Sequence, residues 1–315
     1  MCRRSLLGVG LGALAAAGVP GCSTGTSRLP RLVLGTGPQG GPYKAFGQAL
    51  AAAAKTRGLA LEPVATSASV DNLRRLHEGG LQLALTTADV AEDAVLGRNT
   101  FTRPLRLTAL ARVYVNYTHL VVAAKGPVHA IGDLSRQPVS VGATGAGGQV
   151  LARRLLRAAG LTGTHTAHER SMSLGASLRA LRTGAVRAVF WSGGVPTPAL
   201  ADLAGELPLR LVPLDAYVLR LREEYGPTYT EVTIPAGTYA LKRPVATVGT
   251  GNYLVARQDV PADAAHRLLE VLFDRSQGLL RSVTAGARLE PRFAISTGSV
   301  PLHPGAVEYY RSVYG

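Results

Sequence analysis

Cysteine is almost missing from this chain: its 315 residues contain two, Cys2 and Cys22. Two thiols exclude a disulfide framework, so a fold of this length must rest on an apolar core. Lysine is nearly as scarce, with only Lys44, Lys55, Lys125 and Lys242 among 34 basic residues, the rest being arginine. Aromatic residues make up 5% of the chain, and Trp191 is its one tryptophan. Aromatics this sparse, and not interleaved with basic residues, exclude the stacking platform of a single-strand nucleic-acid binder. The net charge of +14 therefore does not point to nucleic acid. The arginines are scattered among Ala, Gly and Leu in helical patterns, and a basic surface of that kind favours anionic small molecules and acidic lipid headgroups. Charged residues are only 17% of the chain and hydrophobic ones 46%, too apolar for disorder, and the length suits two lobes, each with a core.

Catalytic signatures are missing as well. No two of the seven histidines have the H-E-x-x-H spacing of a metal site, and Ser192 has no G-x-S-x-G elbow around it, Trp191 standing before it. Gly145-Ala146-Gly147-Gly148 lacks the Lys-Ser/Thr of a Walker A loop, and its spacing from Gly142 misses the G-x-G-x-x-G fingerprint. The scattered carboxylates nominate no acid–base pair. No catalytic residue, metal site or cofactor is expected.

The first residues read as an address. Arg3 and Arg4 precede an uncharged run from Ser5 to Val19, then Pro20, Gly21 and Cys22. A charged start, a short apolar stretch and small residues at a cleavage point make an export signal over residues 1–21, too short for a permanent membrane span. Val19-Pro20-Gly21-Cys22 resembles a bacterial lipobox, which implies a lipid-anchored tether over residues 22–30, although Pro20 departs from the Ala or Ser usual there. An ordinary signal peptide with an incidental Cys22 is the alternative. The export route, general secretory or twin-arginine, stays open.

Beyond the tether, strands alternate with helices. Leu32 to Leu34 leads into the glycine loop Gly35–Pro42 and a helix over 43–55; Leu61 to Ala65 is a strand, with a helix from Ser69 or Asp71 to His77; Leu81 to Leu85 is the next strand. Leu107 to Val113 and His119 to Ala124 are expected as two strands separated by Tyr114–Tyr117. A second set begins with Pro138 to Val141, the loop Gly142–Gly148 and a helix over 150–159, and continues with strands at Val186–Trp191, Leu209–Val212 and Tyr253–Val255 and a helix over 262–273. Such alternation predicts an α/β fold with doubly wound parallel sheets, whose ligands bind beyond the carboxyl ends of the strands. Both glycine loops sit at such ends, where free helix N-terminal amides suit an anion.

Six segments, in this order, carry a family resemblance: Gly35-Thr36-Gly37 through Tyr43, Thr66 to Asn72, Asp89-Val90-Ala91, Gly194 to Pro198, Thr233 to Tyr239, and Pro301 to Ala306. Together they resemble the TAXI family of solute receptors of tripartite ATP-independent (TRAP) transporters, over about residues 31–311. The resemblance implies a type II periplasmic-binding-protein fold, two doubly wound lobes joined by two crossing segments, with lobe 1 over 31–122 and 248–315 and lobe 2 over 123–247. It implies a monomeric receptor that captures a small organic anion of the glutamate or dicarboxylate kind for a TRAP membrane permease, or alternatively presents it to a membrane sensor kinase.

Carried over residue by residue, the resemblance puts Thr36, Gly40, Tyr43, Ser69, Asn72 and Thr87 on the wall of the first lobe. It puts Thr144, Gly145, Ala146, Gly147 and Gly148 around the ligand's carboxylate in the second lobe, with Pro196, Thr197 and Tyr239 on the far side. Asp89 is expected to cap or orient rather than touch the anion. This chain departs from the family in its second loop, where many relatives carry Gly-Ser-Gly-Thr, so two hydroxyl donors are gone and the ligand is expected to differ.

Overall fold

The computed structural model describes residues 31–281, 283 and 287–315; the expected signal, tether and lipidation at Cys22 lie outside them. In the first lobe β1 (Leu32–Gly35), α1 (Pro42–Lys55), β2 (Leu61–Val64), α2 (Ser69–His77), β3 (Leu83–Thr87) and α3 (Ala88–Leu96) alternate before the long strand β4 (Thr108–Ala123). The second lobe follows with β5 (Pro138–Gly142), α4 (Gly147–Ala158), β6 (His168–Ser171), α5 (Leu174–Arg182), β7 (Ala188–Gly193), α6 (Pro198–Glu206), β8 (Leu209–Leu211), α7 (Val218–Tyr225) and β9 (Tyr229–Ile234). The long strand β10 (Val245–Ala256) returns to the first lobe, which α8 (Ala262–Asp274), α9 (Ser276–Arg281), α10 (Pro291–Ala294) and α11 (Pro304–Tyr314) complete.

Local sequence explains how the site-bearing helices begin. Gly41 is extended and Pro42 opens α1, where its missing amide hydrogen leaves nothing unsatisfied. Phe46, Leu50 and Ala54, four apart, then bury one face of that helix. Apolar runs of four to six residues form β1, β3, β5 and β7, which are sandwiched between helices on both sides.

Strands β2, β1 and β3 run parallel, and β6, β5 and β7 do the same in the second lobe. Between these sets lie β10 and β4, antiparallel to each other and to their neighbours β3 and β7. Each long strand serves both lobes. On β4, Leu110, Ala111 and Val113 pack with α1, α8 and α11, whereas Leu120 and Val122 pack with α4 and α7. On β10, Leu254 and Ala256 belong to the first of these cores and Val248 to the second. This is the expected type II periplasmic-binding-protein architecture.

Two expectations change. The two strands around Tyr114–Tyr117 are one, because these residues continue the ladder, pairing Tyr114 with Asn252 and Tyr117 with Gly249. The strand at Tyr253–Val255 is the end of a twelve-residue one.

Candidate functional site

A cavity of about 430 Å³ lies between the lobes, beyond the carboxyl ends of β1, β3, β5 and β7. Gly37 to Tyr43, Ser67 to Ser69 and Thr87 line it from the first lobe, Asn116 from the crossing strand β4, and Ala146 to Gln149, Met172 to Gly175 and Phe190 to Ser192 from the second. Among the described residues, none of the lining side chains is an Asp, Glu, Lys, Arg or His. What the cavity has instead is helix ends: α1, α2, α4 and α5 each turn an N-terminus toward it, and each brings a partial positive charge. The lobes already touch across it, with the Val70 amide donating to the Gly145 carbonyl at 3.0 Å.

The floor is a buried polar chain. The Tyr43 hydroxyl donates to Asn252 Oδ1 at 2.5 Å, and Asn116 Nδ2 donates to the same oxygen at 3.1 Å. Burial raises the Tyr43 phenol far above its ordinary pKa, so it stays a neutral donor. Asn116 Oδ1 and Thr87 Oγ1 are buried, and neither has a hydrogen-bond partner among the described residues. On the opposite side Met172, Leu174, Phe190 and Trp191 form an apolar wall, with the Trp191 indole fixed by its Nε1 donating to Thr197 Oγ1 at 2.9 Å.

The expected site residues separate into those at the cavity and those behind it. Gly40, Tyr43, Ser69, Thr87, Ala146, Gly147 and Gly148 line it. Thr36 and Asn72 do not: Thr36 Oγ1 donates to Val64 O at 2.6 Å, and Asn72 Nδ2 donates to the carbonyls of Thr36 and Leu85, both at 2.7 Å. Their donors are given to backbone carbonyls of β1, β2 and β3, which they tie together. Thr144 is exposed to solvent, and Gly145 faces Ser67 and Asp71 of the other lobe. Pro196 and Thr197 line a second, smaller cavity of about 240 Å³ with Gly40 and Lys44. Tyr239 lies behind them, its hydroxyl accepting from the Thr197 amide at 2.6 Å. Asn116, Met172, Leu174 and Phe190 were not expected; Asn116 sits in the segment read as a break between strands, which hid it.

A charge cluster that the sequence did not suggest bridges the lobes beside the cavity. Arg154 on α4 is 3% exposed and meets Asp89 Oδ2 at 3.3 Å, the Tyr229 hydroxyl at 2.6 Å and Asp93. Burial disfavours the charged guanidinium, yet Asp89, Tyr229 and Asp93 outweigh it and raise its pKa. Asp93 also accepts from Arg98 at 3.1 Å, and Arg98 donates to the Tyr225 carbonyl at 2.9 Å. Asp89 thus orients rather than faces the cavity. Among the described residues no group of His, Cys, Asp and Glu could hold a metal ion, and no helix is long and apolar enough to cross a membrane.

Residues 34–313 match the model of the NMT1-like family. The chain belongs to that family. Solved structures similar to this NMT1-like protein include MatC (Rpa3494) from Rhodopseudomonas palustris with bound malate, at 16% identity and a TM-score of 0.53, covering 80% of this chain and 87% of that one. XAC2383 from Xanthomonas citri bound to ATP is similar at 12% identity and a TM-score of 0.52, covering 90% of this chain and 94% of that one. At these identities the likeness of the NMT1-like chain to both is one of fold.

Proposed function

We propose that this protein is an extracytoplasmic solute receptor that holds a small organic anion between its lobes and delivers it to a TRAP-type membrane permease, without covalent chemistry. One observation carries the reading: the N-termini of α1, α2, α4 and α5 converge on one interlobe cavity that has no charged side chain. Aligned backbone dipoles and free amides attract and hold an anion there, while the lack of acidic groups imposes no repulsion. Membership of the NMT1-like family and the two-lobed fold support a substrate-binding role. The order of the segments from Gly35 to Ala306 supports the TAXI type and hence the permease as partner. The segment Val19–Cys22 supports anchoring at the outer face of the cell membrane.

Thermal unfolding of the purified mature chain with a panel of organic anions, and with their neutral amides, tests the reading. An anion at about a hundred times its Kd stabilises the protein by roughly 2.7 kcal/mol. Absence of stabilisation by any anion, or conversion of one to a product, would refute it. Cys22→Ser is expected to move the protein from the membrane to the soluble fraction on cell fractionation.

A further inference from the structure

Resting on the reading of the cleft as an organic-anion site, we infer that its ligand is a hydroxy-monocarboxylate with an apolar chain. The carboxylate sits on the amides of Gly147 and Gly148 and the hydroxyl of Thr87, a ligand hydroxyl donates to Asn116, and the chain lies on Met172, Leu174, Phe190 and Trp191.

The carboxylate's place follows from which donors are free. Helix α4 starts without a side-chain cap at Ala146, and among the described residues the amides of Gly147 and Gly148 have no acceptor. The starts of α1 and α2 offer fewer open amides, and that of α5 is capped by its own Ser173. Pro42 has no amide hydrogen, and Lys44 and Ala45 both donate to the Gly41 carbonyl. Ala68 donates to Thr66 Oγ1, Val70 to the Gly145 carbonyl, and Ala176 to Ser173 Oγ. Independently of the helix, Thr87 Oγ1 is unpartnered on a residue 4% exposed, and it points at this same turn. A Cβ placed on Gly147 would lie 2.6 Å from Thr87 Oγ1 and 2.6 Å from Ser69 Oγ, so only glycine lets the start of α4 come this close to the two hydroxyls. Charge-assisted bonds from two amides and a hydroxyl meet the needs of one carboxylate.

The hydroxyl follows from the orientation of two amides. Asn252 must turn Nδ2 to the Tyr114 carbonyl, at 3.1 Å, because a carbonyl only accepts. Its Oδ1 then receives both the Tyr43 hydroxyl and Asn116 Nδ2. Asn116 is left with Oδ1 as an unpartnered acceptor on a residue 4% exposed, at the cavity floor. It needs a donor from the ligand. An ammonium would lie among no acidic side chains, and the nearby Asp89 is already paired with Arg154, so a neutral hydroxyl suits the place better. A second carboxylate would likewise meet no cationic side chain, since Arg154 is held by Asp89 and Asp93 and Arg112 lines a different cavity. The dicarboxylate class expected from the sequence therefore fits this cleft poorly.

Trp191, the one tryptophan, stands on the cavity wall, so its fluorescence reports binding directly. The full mature protein is titrated with the hydroxy-acid counterpart of leucine, with that compound's neutral amide, and with leucine, malate and glutamate. The hydroxy acid is expected to bind tightest, and the amide, leucine, malate and glutamate each at least about ten-fold more weakly, because each lacks the charge or leaves one unpaired. Thr87→Val keeps the shape of the side chain and is expected to weaken the hydroxy acid about ten-fold with an unchanged circular dichroism spectrum. Malate, glutamate or leucine binding as tightly as the hydroxy acid overturns this inference while the organic-anion receptor stands. Unchanged affinity in Thr87→Val overturns the placement of the carboxylate. Failure of every acid to bind overturns the receptor reading itself.

Discussion

Arg154 and His119 show how much a single buried polar side chain decides here. Arg154 holds two carboxylates of the other lobe inside the protein, and a cation removed from such a place leaves both charges without compensation. Arg154→Met is expected to lower unfolding free energy by about 3–5 kcal/mol in denaturant titrations. Arg154→Lys should recover only part of this, because an ammonium cannot reach two carboxylates and the Tyr229 hydroxyl in the fork geometry of a guanidinium. His119 is fully buried, with Nδ1 at 2.9 Å from the Tyr117 carbonyl and Nε2 at 3.3 Å from the Tyr239 hydroxyl. Burial lowers its pKa from 6.5 to about 4. The unfolded chain therefore takes up a proton at a pH where the folded one refuses it. Stability is full above about 6.5 and is lost as pH falls toward about 4, by up to roughly 3 kcal/mol for this group. Urea midpoints measured across that range should fall for the native protein and fall less for His119→Asn.

Among the elements, α8 and α11 approach closely at Gly305. Gly305 lies in the first turn of α11, and a Cβ there would stand 2.1 Å from the Ala262 carbonyl oxygen at the start of α8. The obstacle is backbone, which cannot rotate aside. Gly305→Ala is expected to destabilise by about 1–3 kcal/mol or more in thermal unfolding, and to separate the stacked rings of Phe273 and Tyr309, now 5.3 Å apart. Of the helices that face the cavity, α1, α2 and α4 were legible in the sequence because each begins at a glycine loop or a polar turn, whereas α5 was not read. The long strands were not. Tyr114–Tyr117 reads as a separation between two strands and the strand at Tyr253 reads as starting after Asn252; both stretches extend because Tyr114–Tyr117 and Gly249–Asn252 are each other's ladder partners.

At the scale of the whole molecule, the shared strands couple the lobes. β4 and β10 each contribute to the cores of both, and Arg154, Asp89 and Asp93 close a second bridge away from those strands. Unfolding of one lobe is therefore expected to take ladder and core partners from the other. Calorimetry is expected to show one transition with calorimetric and van't Hoff enthalpies in agreement; two resolved transitions would show that the lobes unfold independently.

Local order along the chain determined the alternation of strands and helices, the glycine loops at the strand ends, and the family resemblance over residues 31–311, since each depends on neighbours in sequence. The expected export signal and the proposed lipidation at Cys22 also rest on the sequence alone. Thr36 and Asn72 have the right chemistry for a ligand and were expected to meet one, but only the packed sheet shows that their polar atoms are already spent on backbone carbonyls. Conversely, Thr87, Gly147 and Asn116 lie in three separate segments, and the two lobes bring them to one cavity. Whether a polar atom is free to bind depends on which partners folding supplies, and those partners lie far away in the chain.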